Sequence, residues 1–160
     1  MLSPSLLKNP IHALALGFGT GLSPKAPGTV GTLVGVAAFL IVDHFIGSDI
    51  VYLGITLLGF IAGIFICQYT AKALGVHDHP AIVWDEVIGY LVAMAFAPSG
   101  WLSVLIGFVL FRLFDIWKPW PIRLIDRSVH GGFGIMLDDV LAGIYAALGL
   151  ALCGIVLPIQ

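Results

Sequence analysis

Apolar residues run along this chain in five long stretches, 29–46, 50–71, 81–97, 101–117 and 139–157, separated by polar breaks. Each approaches the roughly 17–25 residues that a helix needs to cross a bilayer. The breaks at 47–49 (Gly-Ser-Asp) and 98–100 (Pro-Ser-Gly) are tight, so consecutive helices are expected to be antiparallel neighbours. The pattern predicts an all-α integral membrane protein with one domain over 1–160. It reads as a compact bundle of about four to five transmembrane helices, preceded by an N-terminal re-entrant or interfacial segment.

Composition supports this reading. The chain is 59% hydrophobic and only 10% charged, whereas a soluble domain is about a quarter charged. A net charge of -2 says little about partners, but there is no basic arm for nucleic acid, so no nucleic-acid partner is expected, and no obligate protein partner is inferred. The first residues hold one lysine and no small-residue cleavage site, so they are expected to be retained. Cys67 and Cys153 stand far apart in apolar runs, as inert core thiols do.

Alternating the five stretches places residues 1–28, 72–80 and 118–138 on one side of the membrane. Lys8, Lys25, Lys72, Lys118, Arg123 and Arg127 all fall there, and Arg112 can snorkel towards it. The opposite side receives no Lys or Arg, so the first side is expected to be cytoplasmic.

Most charged residues lie between Lys72 and Asp139, converging on that same side. Ionisable groups within membrane segments usually face the bundle interior. Glu86, Gly89 and Ala93 share one helix face, as do Asp139, Gly143, Ala146 and Ala147, so small residues mark the packed side. Gly31/Gly35 and Gly59/Gly63 give two further close-approach spacings. Asp85, Glu86, Asp115, Asp138 and Asp139 are thus candidates for one site, self-repelling unless protons or cations balance them. Such oxygens suit a hard divalent cation, usually Mg²⁺. Two plainer readings stand beside this one. Asp138 and Asp139 could cap the start of the last helix, and Asp115 could simply pair with Arg112 three residues away.

Two further polar elements are candidates. The loop GFGTGLSPKAPGTVGT, 17–32, offers backbone N–H groups, Lys25 and a helix start near Thr29 to a phosphate, or it is a turn that needs glycines for backbone reasons. In VHDHP, 76–80, His77 and His79 lack the further ligands of a zinc site and suit a helix cap or a phosphate contact. His130, before two glycines, is similar. The insertion 117–134 is expected to hold a short interfacial helix, with Trp117 and Trp120 at headgroup level.

With these residues assembled, the chain resembles the bacterial phosphatidylglycerophosphatase A family. The resemblance runs from about Asn9 to Gly143 and rests on GFGTGLSPKAPGTVGT, GVHDHPAIVWDEVIG, FRLFDIWKPWPIRLIDRSVHGGFGIMLDD and the Ala-Gly pair that follows. It implies a Mg²⁺-dependent hydrolase that removes the terminal phosphate of phosphatidylglycerophosphate to give phosphatidylglycerol. It also implies a multi-pass protein of the bacterial cytoplasmic (inner) membrane, with its site facing the cytoplasm. On this reading Asp85, Glu86, Asp115 and Asp139 are the expected catalytic residues. Asp85, Glu86, Asp138 and Asp139 are the expected metal ligands. Lys25, Thr29, His79, Lys118, Arg123, Arg127 and His130 are expected around the lipid phosphate, although Arg127 in particular could serve only general attraction to anionic lipid. The nucleophile is a metal-activated water or a carboxylate, and the absence of a DxDxT run favours water. The alternative is a small proton- or ion-coupled transporter using the buried carboxylates as relays; clustering at one face rather than the midplane argues against it.

Overall fold

Seven α-helices and two short 3₁₀ turns near the N-terminus make up the regular structure of residues 2–156, which this computed structural model describes. The helices are α1 (Pro10–Ala15), α2 (Pro27–Phe45), α3 (Asp49–Leu74), α4 (Trp84–Met94), α5 (Trp101–Trp117), α6 (Ile122–Ser128) and α7 (Gly131–Val156). The predicted end of the fifth stretch at Leu157 lies outside the described residues.

Three of these helices, α2, α3 and α7, are long and apolar enough to cross a membrane. The third predicted stretch, 81–97, is helical only over the 11 residues of α4. At ~1.5 Å per residue that is about 16 Å, against a hydrocarbon core of about 30 Å. Pro80 before it and Pro98 with Gly100 after it bound what the segment can extend. α5, with 17 residues, reaches about 25 Å.

What α4 lacks in length it makes up in burial. It packs against α2, α3, α5 and α7 at once, and Asp85, Val87, Ile88, Gly89, Tyr90, Leu91, Ala93 and Met94 are all buried. Both predicted glycine spacings serve this packing. Gly35 of α2 lies against Val87 and Tyr90, while Gly59 and Gly63 of α3 meet Ile88, and Met136 with Trp84. The outer surface is the reverse of a soluble protein: Ile41, Phe45, Ile50, Leu58, Phe65, Val109 and Leu152 are exposed, as side chains facing lipid would be.

Polar groups inside the bundle are bonded across helices. The Tyr52 hydroxyl of α3 donates to the Leu91 carbonyl of α4 at 2.6 Å, and Trp84 Nε1 donates to the Gly59 carbonyl at 3.1 Å. Tyr52→Phe removes the first bond at constant shape. It is expected to lower stability by about 1 kcal/mol, read as a lower thermal midpoint of the detergent-solubilised protein; an unchanged midpoint would refute that role.

The last helix differs from its expected bounds in an instructive way. It begins at Gly131, not at Asp139. Its opening N–H groups are satisfied from elsewhere in the chain: Gly131 donates to His77 Nε2, and Gly132 donates to Gln68 Oε1 at 2.8 Å. Asp138 and Asp139 therefore sit two turns inside the helix, beyond the first turn where capping acts. The capping explanation for these two acids is removed.

Candidate functional site

Three helix ends meet the interior of α7 beneath the polar loops. The start of α2, the start of α4, the end of α5 and the second turn of α7 enclose a cavity of about 300 Å³. Six carboxylates line it, from Asp78, Asp85, Glu86, Asp115, Asp138 and Asp139, against two cationic side chains, Arg112 and Lys118. All five acids singled out in the sequence thus reach one place, as the alternating pattern required.

The acids divide into two kinds. Asp115 and Asp138 are paired: Asp115 Oδ2 lies 2.6 Å from Arg112 Nη1, and Asp138 Oδ2 accepts from Lys118 Nζ at 2.5 Å. Asp85, Glu86 and Asp139 instead face one another, with a ligand atom from each within 4.8 Å of the others. The nearest cation to this trio is Arg112, whose Nη1 stands 4.0 Å from Glu86 Oε1. Buried oxygens on Asp85 (Oδ1), Glu86 (Oε2), Asp138 (Oδ1) and Asp139 (Oδ2) have no hydrogen-bond partner.

Magnitudes decide what this means. Asp85 and Glu86 lie in the first turn of α4, where the helix dipole favours an anion by about 0.3–1 kcal/mol, at most ~2. Burying an uncompensated charge costs several kcal/mol. The dipole is too weak by itself, so protons or a cation must balance the trio. Oxygen donors alone, with no imidazole or thiolate among them, fit a hard divalent cation such as Mg²⁺.

The rest of the cavity supplies positive ends. Pro27 is the first residue of α2, so the N–H groups of Gly28 and Thr29 have no acceptor within their own helix. A side chain at Gly28 would collide with Glu86 Oε1 and approach the Arg112 guanidinium at 3.1 Å, which explains a glycine at that position. Arg112 also donates to Thr32 Oγ1 at 3.4 Å, holding α5 against α2. Lys118 is fixed by Asp138 and by Asp126 at 2.7 Å. Burial opposes its charge, but these carboxylates outweigh burial and raise its pKa above the ordinary lysine value. Two residues of the wall, Ala26 (φ 47) and Lys118 (φ 46), hold left-handed backbone, a conformation that costs a non-glycine residue ~1–3 kcal/mol.

The predicted phosphate contacts separate. Lys118 lines the acid cavity, and Gly28 and Thr29 open α2 beside it. Lys25 is exposed outside the lining; Ala26, Pro27 and Gly28 take its place at the wall. His79 turns to a neighbouring apolar cavity, its Nδ1 accepting from the Ala81 N–H at 3.1 Å. Arg123 and Arg127 line a separate cleft with Trp117 and Trp120. His130 stacks edge-on against His77, 5.1 Å between ring centres, and is not among the residues lining the acid cavity. The spacing of Arg112 and Asp115 allows a pair or a shared site, and the two are paired in the cavity wall; Asp78, not among the five expected acids, joins them there. Sequence reasoning also missed Asp126, whose spacing of eight from Lys118 gives no helical signal across the intervening turn.

A family model described as phosphatidylglycerophosphatase A matches residues 13–153. A phosphatidylglycerophosphatase A of Escherichia coli (strain K12) is 48% identical over 142 residues, covering 88% of this chain and 81% of that protein. A phosphatidylglycerophosphatase A of Haemophilus influenzae is 50% identical over 143 residues, covering 89% and 87%. A putative phosphatidylinositol-3-phosphatase of Bacteroides thetaiotaomicron is 34% identical over 145 residues, covering 86% and 89%. No solved structure matches the chain.

Proposed function

The chain belongs to the phosphatidylglycerophosphatase A family, and on that premise we propose that it hydrolyses phosphatidylglycerophosphate to phosphatidylglycerol and phosphate, using Mg²⁺. The observation that carries the metal dependence is the trio Asp85, Glu86 and Asp139, each with one buried oxygen that lacks a hydrogen-bond partner. These three side chains would hold the cation. When bound, it supplies charge neutralisation and polarisation of the phosphoryl oxygens.

The protein's own groups do the rest. Lys118 and the free N–H groups of Gly28 and Thr29 receive the phosphate oxygens, with the positive end of α2 behind them. Asp115 lies in the cavity wall outside the trio, oriented by Arg112, and is assigned to take the proton of the attacking water. Asp138 serves through Lys118, holding the ammonium at the wall.

We place the cavity at the cytoplasmic face of the bacterial inner membrane, supported by the lysines and arginines gathered at that end. In that frame α2, α3 and α7 span, α5 reaches most of the way, and α4 is a half-length helix enclosed by the others. The residues before Pro27 lie at the interface.

Release of inorganic phosphate from the lipid by purified protein in neutral detergent tests the reading. Activity is expected with Mg²⁺, loss with chelator, and recovery when Mg²⁺ is restored. Chelator-insensitive release would overturn the metal assignment, and absence of release from folded protein would overturn the activity. Phosphatidylinositol 3-phosphate, assayed in parallel, is expected to be the poorer substrate.

A further inference from the structure

A second cleft of about 500 Å³ lies beside the acid cavity and shares one lining residue with it, Lys118. Its character is opposite. Arg123 and Arg127, four residues apart on α6, line it with Trp117 and Trp120, and no carboxylate does. Neither arginine is in an ion pair among the described residues. Arg123 Nη2 donates only to the Trp117 carbonyl, at 3.3 Å. Asp126, between them in sequence, is turned to Lys118 and ties α6 to that shared residue. Trp117 and Trp120 are 61% and 79% exposed, as suits an amphipathic ring at headgroup depth.

The lipid named above carries two phosphates one glycerol apart: a terminal monoester, which is hydrolysed, and an inner diester, which must survive. A diester is a single anion that needs no metal, and planar guanidinium groups match its oxygens. Resting on the activity proposed above, we infer that the Arg123–Arg127 cleft holds the phosphodiester while the monoester enters the acid cavity past Lys118. The division places the scissile phosphate at the acids and keeps the inner one away. A purely electrostatic attraction to the membrane would need neither a concave cleft nor a lysine common to both cavities.

The full-length double variant Arg123→Gln/Arg127→Gln, in neutral nonionic micelles, tests this. Losing two charge-assisted contacts is expected to raise KM for phosphatidylglycerophosphate about 10–100-fold, with kcat held within about threefold. Inhibition by phosphatidylglycerol, which keeps only the diester, should weaken in parallel. Inhibition by inorganic phosphate, which mimics only the monoester, should not change, and Arg→Lys at both positions should restore part of the loss. Unchanged KM and phosphatidylglycerol inhibition would overturn the inference, as would equal weakening by inorganic phosphate. An effect confined to anionic vesicles and absent in neutral micelles would likewise overturn it and leave surface attraction. Trp117 and Trp120 give a readout independent of turnover. Phosphatidylglycerol should shift their fluorescence saturably in the wild type but not in the double variant, and diacylglycerol should shift neither. If wild-type protein released no phosphate, the activity would fail while this titration still decided the cleft.

Discussion

Asp139→Asn is expected to cut phosphate release about 100–1000-fold, because in the proposed metal site it removes one charged ligand of a phosphoryl-polarising cation, which is several kcal/mol, and each ~1.4 kcal/mol is tenfold in rate. The same substitution is expected to raise the thermal midpoint of the protein in chelator. Asp139 is almost fully buried beside Asp85 and Glu86, with Oδ2 unpartnered. Without a cation the three repel, and a neutral amide of equal size relieves that repulsion. Wild-type protein should gain more from Mg²⁺ than the variant does, so their midpoints draw together or cross as Mg²⁺ is added. A residue that merely supports the fold would lose stability in both conditions. Destabilisation in chelator together with unchanged Mg²⁺ response would remove Asp139 from the metal site.

That pair of opposed effects follows from an arrangement only partly legible in the sequence. The all-α character, the acid clustering and the small-residue faces could be read directly, because hydropathy and helical spacing are local signals. The pattern predicts four to five spanning helices, and three are long and apolar enough to span. Glu86 with Gly89, and Asp139 with Gly143, do face each other across α4 and α7. The length of α4 could not be read in the same way. A continuous apolar run looks alike whether it spans lipid or is a short helix buried among neighbours, and 81–97 is the second case. The start of α7 was hidden for another reason: its caps come from His77 and Gln68, more than fifty residues earlier. Similarly, chemistry alone made Asp138 an equal of Asp139. Adjacent helical positions point about 100° apart, so one turns to Lys118 and the other to the trio. The basic residues were legible as one group, and only the fold separates Lys118, which lines both cavities, from Arg123 and Arg127 in their own cleft.

The seam that brings the trio together yields the second large effect. A side chain at Gly143 would collide with the carbonyl oxygen of Gly89 and stand 3.0 Å from Val92 Cβ. A side chain at Gly89 would meet the Asp139 carbonyl at 2.8 Å and the Phe111 ring at 2.7 Å. These glycines sit one turn beyond Glu86 and Asp139, so the closeness of α4 and α7 sets the closeness of the carboxylates. Gly143→Val must push backbone from backbone, since no flexible side-chain end can yield there. Overpacking of this kind costs about 1–3 kcal/mol and occasionally more, and misplacing a reacting group by ~1 Å costs about 100-fold in rate. Gly143→Val is therefore expected to lower the thermal midpoint, to abolish its rise with Mg²⁺, and to reduce phosphate release at least about 100-fold. Gly54→Ala on α3, where nothing lies within 4 Å, is the matched control. It adds a methyl group to an open helix face, where alanine is favoured over glycine by about 0.5–1 kcal/mol, and should keep both stability and Mg²⁺ response. Wild-type activity and Mg²⁺ response in Gly143→Val would show that the seam does not set the site.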